Sequence, residues 1–305
     1  MMGLKSLPRA ALPAVMALAL MTAPSLAQQS YPTPEDAAAA LAAAVKSGPD
    51  RAILKVLGSA AQDIVSSGDE VADVDIRQRF TSMYDAKHSI KSEGNKKATL
   101  ILGPDDFPFP IPLVNTKTGW EFDTAEGRIE VLYRRIGRNE LDAIQTSLAF
   151  VDAENEYADK DRGEGAGVYA QRIVSSAGKK DGLFWRDDSD PSPLGALAAQ
   201  ASSEGYKAEE GPAPYHGYYF RILTGQGSNA PGGALDYVVK SKMIGGFALI
   251  AWPAEYGNSG VMTFLVNHAG TVYQKDLGER TGIIAPRTTL FDPDQTWKKV
   301  DVAKP

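Results

Sequence analysis

The stretch Gly260-Val261-Met262-Thr263-Phe264-Leu265-Val266-Asn267-His268-Ala269-Gly270-Thr271-Val272-Tyr273-Gln274-Lys275 decides the fold. It reads as two strands rich in apolar and β-branched residues, joined by a tight hairpin turn at Asn267-His268-Ala269-Gly270. Upstream, Gly246-Phe247-Ala248-Leu249-Ile250-Ala251-Trp252 and Tyr218-Tyr219-Phe220-Arg221-Ile222-Leu223 read as two more strands. Four strands in chain order predict an antiparallel β-meander. Before them, from Asn139, the residues Leu141, Ile144, Leu148 and Val151 recur at three- and four-residue steps. That spacing predicts a long helix whose single apolar stripe lies on the meander. The helix fades at Tyr157, and a loop-rich stretch carries the chain to about Pro214.

The half that precedes this helix has a different texture. Thr33-Pro34-Glu35-Asp36 reads as a helix start, with a cap, a proline in the first turn and acids near the positive end. A second helix follows Asp50, and a third is predicted from about Glu70 to His88. Ala98 to Leu102 then reads as a strand. In Phe107-Pro108-Phe109-Pro110-Ile111-Pro112, apolar residues alternate with prolines, which cannot donate a ladder bond, so an edge strand or extended wall is expected. Gly119 to Asp123 is another strand. Thr124 is expected to cap a helix that Gly137 stops. The fold class is therefore α+β. Helices with a small antiparallel sheet occupy residues 28–138, and a long helix on a four-stranded meander occupies 139–305.

Residues 1–27 read as a cleaved secretory signal. Lys5 and Arg9 precede an apolar run from Ala10 to Met21, and small residues lead to a cleavage site near Ala27. The run is too short to span a bilayer core, which takes roughly 20 residues. A periplasmic protein without stable membrane insertion is expected. Without residues 1–27 the chain carries 30 basic and 38 acidic residues, a net charge of −8. This argues against nucleic-acid binding, which needs a basic face. The absence of cysteine removes disulfides, thiolate metal sites and thiol nucleophiles.

Several segments carry a family resemblance. They are Asp36 to Lys46, Asp106-Phe107-Pro108-Phe109-Pro110-Ile111-Pro112-Leu113-Val114, Arg134 to Leu141, Pro214-Tyr215-His216-Gly217-Tyr218-Tyr219-Phe220, and Gly245 to Gly257. Together they resemble the bacterial family catalogued as domain of unknown function 2950. The resemblance implies an exported protein and implies no activity. Residues 139–301 are also similar to the globular heads of type IV pilins and pseudopilins. The matching features are Tyr157, Gly217-Tyr218-Tyr219-Phe220, Ala251-Trp252-Pro253, Gly260 to Val266 and Gly270. The charged start of the helix (Arg134, Arg135, Arg138, Glu140) departs from the apolar pilin stalk. In element order, residues 31–137 are similar to the nuclear-transport-factor-2-like domains.

Few residues are placed for chemistry. His216, between Tyr215 and Gly217, is either a site residue or a packed loop residue. With Tyr215, Tyr218 and Glu255 it forms the candidate catalytic set of an enzyme acting on an envelope polymer between the two halves. Phe107, Phe109 and Trp120 form a candidate apolar wall for a small-ligand carrier. Asp85 and His88 share a helical face as a candidate pair or a surface ion pair. Arg134, Arg135 and Arg138, with Asp105 and Asp106, suit an anion site or a domain interface, the interface being preferred. The acidic loops Asp159 to Gly165 and Asp187 to Asp190 lack the spacing of a calcium loop. No cofactor motif, metal site, Gly-x-Ser-x-Gly elbow or Walker loop is present. These absences favour a non-enzymatic binding or scaffold module with an envelope protein or polymer as partner. The sequence leaves its oligomeric state open.

Overall fold

The protein is described by a computed structural model covering residues 28–301, except 188 and 208–212. The signal-peptide expectation lies outside the described residues. In chain order the elements are α1 (Pro34–Ser47), α2 (Asp50–Leu57), α3 (Gln62–Val65), α4 (Glu70–Ala86), β1 (His88–Glu93) and β2 (Lys97–Leu102). Next come β3 (Phe107–Pro108), β4 (Leu113–Asn115), β5 (Trp120–Phe122), α5 (Thr124–Ala158), α6 (Gly195–Glu204), β6 (Tyr218–Leu223) and β7 (Gly225–Gln226). The remainder are β8 (Leu235–Asp236), β9 (Val238–Val239), β10 (Lys242–Met243), β11 (Ala248–Pro253), β12 (Met262–Asn267), β13 (Tyr273–Asp276), α7 (Thr281–Ile284) and β14 (Lys298–Lys299). The class is α+β, and both larger sheets are antiparallel.

The C-terminal sheet has the order β14-β13-β12-β11-β6. Its four main strands are the expected meander, and β14 adds an outer edge. Every residue of β11 is buried, because the sheet receives α5 and α7 as well as neighbours on both sides. Gly270 closes the hairpin at φ +70, where L-residues are strained, and donates its N–H to Asn267 O at 2.8 Å. Between β6 and β11, two short ribbons, β7–β8 and β9–β10, interrupt the meander.

The N-terminal sheet runs β1-β2-β4-β5, with β3 pairing on β2 beside β4. Alternate residues of β2 are buried, ending on Ala98, Leu100 and Leu102, and this face meets α1 and α4. Pro34 and the Thr33 cap start α1 as expected, with Asp36 N–H donating to the Thr33 hydroxyl. His88 falls outside the third helix and opens β1, a strand whose mostly exposed, polar residues gave no alternation to read.

The largest departure is α5. It is one helix of 35 residues, about 52 Å long at 1.5 Å per residue, and it crosses both halves. Gly137 does not stop it, and the boundary expected at 138/139 falls inside it. A glycine ends a helix when a left-handed turn follows; here helical hydrogen bonding continues on either side. Thr124 is not the cap either: Asp123 accepts from Glu126 N–H, while the Thr124 hydroxyl donates to Leu57 O at 2.6 Å. The buried stripe runs through Asn139, Ala143, Ser147, Phe150 and Glu154. Leu141 lies off it, 63% exposed.

Candidate functional site

The two halves meet along a polar seam, and His216 sits at one end of it. Tyr215 and Tyr218 exchange both backbone hydrogen bonds, at 2.8 and 3.1 Å, across a two-residue turn. Its central residues, His216 and Gly217, have φ +48 and +75. That is the pattern of a type I′ turn, with histidine at a position that usually takes Asn or Gly. The turn aims the His216 ring between two carboxylates. Nδ1 lies 3.0 Å from Asp142 Oδ2 on α5, and Nε2 lies 2.7 Å from Glu204 Oε2 at the end of α6. The ring stacks on Tyr215 at 4.1 Å between centroids.

Behind the ring, Asp69 ties the cluster to the N-terminal half. It is 1% exposed, and one carboxylate oxygen caps α4 by accepting from Ala72 N–H. The other accepts from the Tyr206 hydroxyl and from Gly217 N–H, both at 2.8 Å. The Tyr206 oxygen in turn accepts from His216 N–H at 3.2 Å. Burial, and then the Asp69 charge, push the Tyr206 phenol far above its ordinary value, so it stays a neutral donor. Burial with the Glu204 and Asp142 charges pushes Tyr215 up to about 12.

The rest of the seam is built on α5. Arg135, 4% exposed, donates to Asp63 O (2.6 Å), Ile64 O (2.5 Å) and Asn258 Oδ1. Asn258 Nδ2 donates to Ser66 O and Glu255 Oε2. Asn139 Nδ2 donates to Ser259 O, and Glu140 Oε1 accepts from Val261 and Met262 N–H, each at 3.0 Å. The loop between β11 and β12 is thus bolted to one helix and to the segment between α3 and α4.

This arrangement separates the expected site residues. His216 and Tyr215 come together. Tyr218 is fully buried; its hydroxyl donates to Met262 O and its ring lies under Gly260. Glu255 packs over Gly68 and lines a cleft of about 370 Å³ with Ala60, Gln62, Asp63, Ser66 and Arg128. The apolar wall is dispersed. Phe109 is packed between Phe80 and Phe122; Phe107 is exposed under Arg134; Trp120 is half-buried and exchanges backbone bonds with Tyr31. Asp85 and His88 do not pair: Asp85 bonds Lys46, and His88 stacks on Tyr84. Asp106 pairs with Lys87, and of the three arginines Arg135 serves the interface. Asp161 accepts from Gly163 and Gly165 N–H, and Lys180 holds both Asp187 and Asp190.

Asp69, Asp142, Glu204 and Tyr206 carry the site and have no motif in the sequence. Only Asp69 has a local pattern that could have pointed to it, an acid directly before the helix expected from about Glu70.

The cluster is engaged on both sides of the ring yet keeps partial exposure to solvent. Both ring nitrogens of His216 lie within hydrogen-bond distance of a carboxylate oxygen. A carboxylate, rather than open solvent, faces each ring nitrogen. Among the described residues, no group of three or more His, Asp or Glu side chains is placed to hold a metal ion. None of the described helices is long and apolar enough to cross a membrane.

The model of a family described as "Protein of unknown function (DUF2950)" matches residues 28–300. No curated protein and no solved structure matches the chain, so the likenesses to pilin heads and to transport-factor domains gain no support there.

Proposed function

The chain belongs to the DUF2950 family, and on that premise we propose that it is an exported binding or scaffold module of the bacterial envelope rather than an enzyme. One observation carries the reading. His216, the best-placed acid–base group of the sequence, has its ring between Asp142 and Glu204 and its backbone N–H on Tyr206. It acts as a latch that holds α5, α6 and the start of β6 together. The seam through Arg135, Asn139 and Asn258 does the same for the two halves. The signal-like residues 1–27 and the acidic net charge support export and solubility.

In-cell crosslinking of the tagged protein, followed by identification of what co-purifies from the periplasmic fraction, tests this. A reproducible envelope protein or glycan partner is expected. Recovery of the chain with nothing but its own copies would sink the reading.

A further inference from the structure

We infer that α5 pairs with α5 of a second copy of this chain, antiparallel, across the ridge Ile129–Tyr133–Gly137–Leu141.

Three large apolar side chains on this ridge face solvent: Ile129 is 54% exposed, Tyr133 70% and Leu141 63%. They lie four residues apart with Gly137 between them, so the four positions form one i±4n ridge. Interdigitation of such ridges is the commonest way that helices pack. The ridge is isolated from the buried stripe of α5, which serves the protein's own core. Phe107, also exposed, extends the patch to one side beneath Arg134.

Gly137 is a second, separate sign. Glycine in a helix interior weakens the helix. The usual compensation is close approach of a neighbour, yet a Cβ placed here would meet no atom within 4 Å. Gly127 in the same helix shows the contrast: its Cβ would lie 2.5 Å from Ile111 Cα. The fold of one chain therefore gives Gly137 no packing reason. A notch of this kind on an exposed ridge receives a large side chain, and the exposed Tyr133 is the one the ridge itself supplies.

Charge selects the occupant. The adjacent row, also at four-residue steps, reads Glu126, Glu130, Arg134, Arg138. Its acidic half lies toward the helix N-terminus and its basic half toward the C-terminus. Reversing the row sets its acidic end toward the basic end of the other copy, whereas a parallel copy sets like charges side by side; within one chain Lys97 holds Glu126 and Arg134 holds Glu130. A two-fold axis near residue 135 places Tyr133 of each copy over Gly137 of the other and Ile129 against Leu141. On this axis Glu130 of each copy lies two residues out of register with Arg138 of the other, within reach of a long arginine side chain, and can exchange its own-helix partner Arg134 for it. This is the isologous geometry of a two-fold dimer. It stands independently of the scaffold reading, since an enzyme can pair in the same way.

The natural absence of cysteine makes the test clean. Light scattering after size exclusion is expected to give the mass of two chains. Tyr133→Asp, at an exposed position, is expected to raise the dissociation constant about tenfold or more, as loss of a central interface aromatic does, with circular dichroism unchanged. I129C and L141C, mixed and oxidised, are expected to crosslink with each other, and neither with itself. A monomer at every accessible concentration, a dimer indifferent to Y133D, or self-crosslinking of I129C would each overturn the inference. So would a different protein seated on the ridge of a monomeric chain.

Discussion

Replacing Arg135 with Met tests the seam at its centre. The variant keeps the length of the stem and removes the donors to Asp63 O, Ile64 O and Asn258 Oδ1. Two of these acceptors are main-chain carbonyls that no compensating substitution can remove. Each buried acceptor left unpaired costs about 1–3 kcal/mol. Against this stands relief of the buried charge: burial lowers the Arg135 pKa despite the opposing Asp73, Asp63 and Glu255 charges, and its Nε has no partner. The net loss is therefore below the sum, about 2–4 kcal/mol. Urea unfolding followed by tryptophan fluorescence measures it. Asn258→Ala in the R135M background should cost less than in the wild type, because the bond it removes is already gone. A loss under about 1 kcal/mol, or strict additivity of the pair, would refute the idea that this network holds the halves together.

Two further outcomes follow from other sites. Glu154 is fully buried on α5, with one oxygen on Ala170 N–H and the other unpartnered. Burial holds its carboxyl well above the ordinary value of 4.5, only partly offset by the Ala170 bond. The folded state thus keeps a proton that the unfolded chain releases above that value. This group makes stability fall as pH rises from there, by at most about 1.4 kcal/mol per pH unit, until the raised value is passed. Glu154→Gln should flatten that slope and gain stability at neutral pH; urea midpoints that stay parallel to wild type across pH would contradict it. Gly217→Ala meets both a φ of +75 and a Cβ only 2.5 Å from Asn139 Nδ2. It should destabilise by more than about 1 kcal/mol, and an unchanged thermal midpoint would show that the turn has slack.

What the sequence made legible was local and periodic. The strands of the meander announced themselves because one run, β11, is apolar throughout, and the β12–β13 hairpin carries its own turn residues. The continuity of α5 was hidden because two signals pointed the wrong way. Thr124 looked like a cap one position after the true one, Asp123, and Gly137 looked like a stop although its backbone remains helical. Leu141 joined the apolar spacing by chance of composition, and its exposure became visible only when the stripe through Asn139 and Ala143 was fixed by packing. The candidate site was hardly legible at all. His216 stood out by rarity, but its partners Asp142 and Asp69 are 74 and 148 residues away from the turn that meets them. No spacing rule links residues brought together only by the docking of two sheets on one helix.

In the function proposed above, His216 latches structure and takes no part in catalysis. Its two carboxylate partners are both partly solvated, so His216→Ala should cost only about 1 kcal/mol and leave the protein folded. The direct measurement is in-cell crosslinking of the H216A variant beside the wild type, with purified variant checked by circular dichroism. A folded variant that captures the same envelope partner is expected. A folded variant that no longer captures the partner would contradict it.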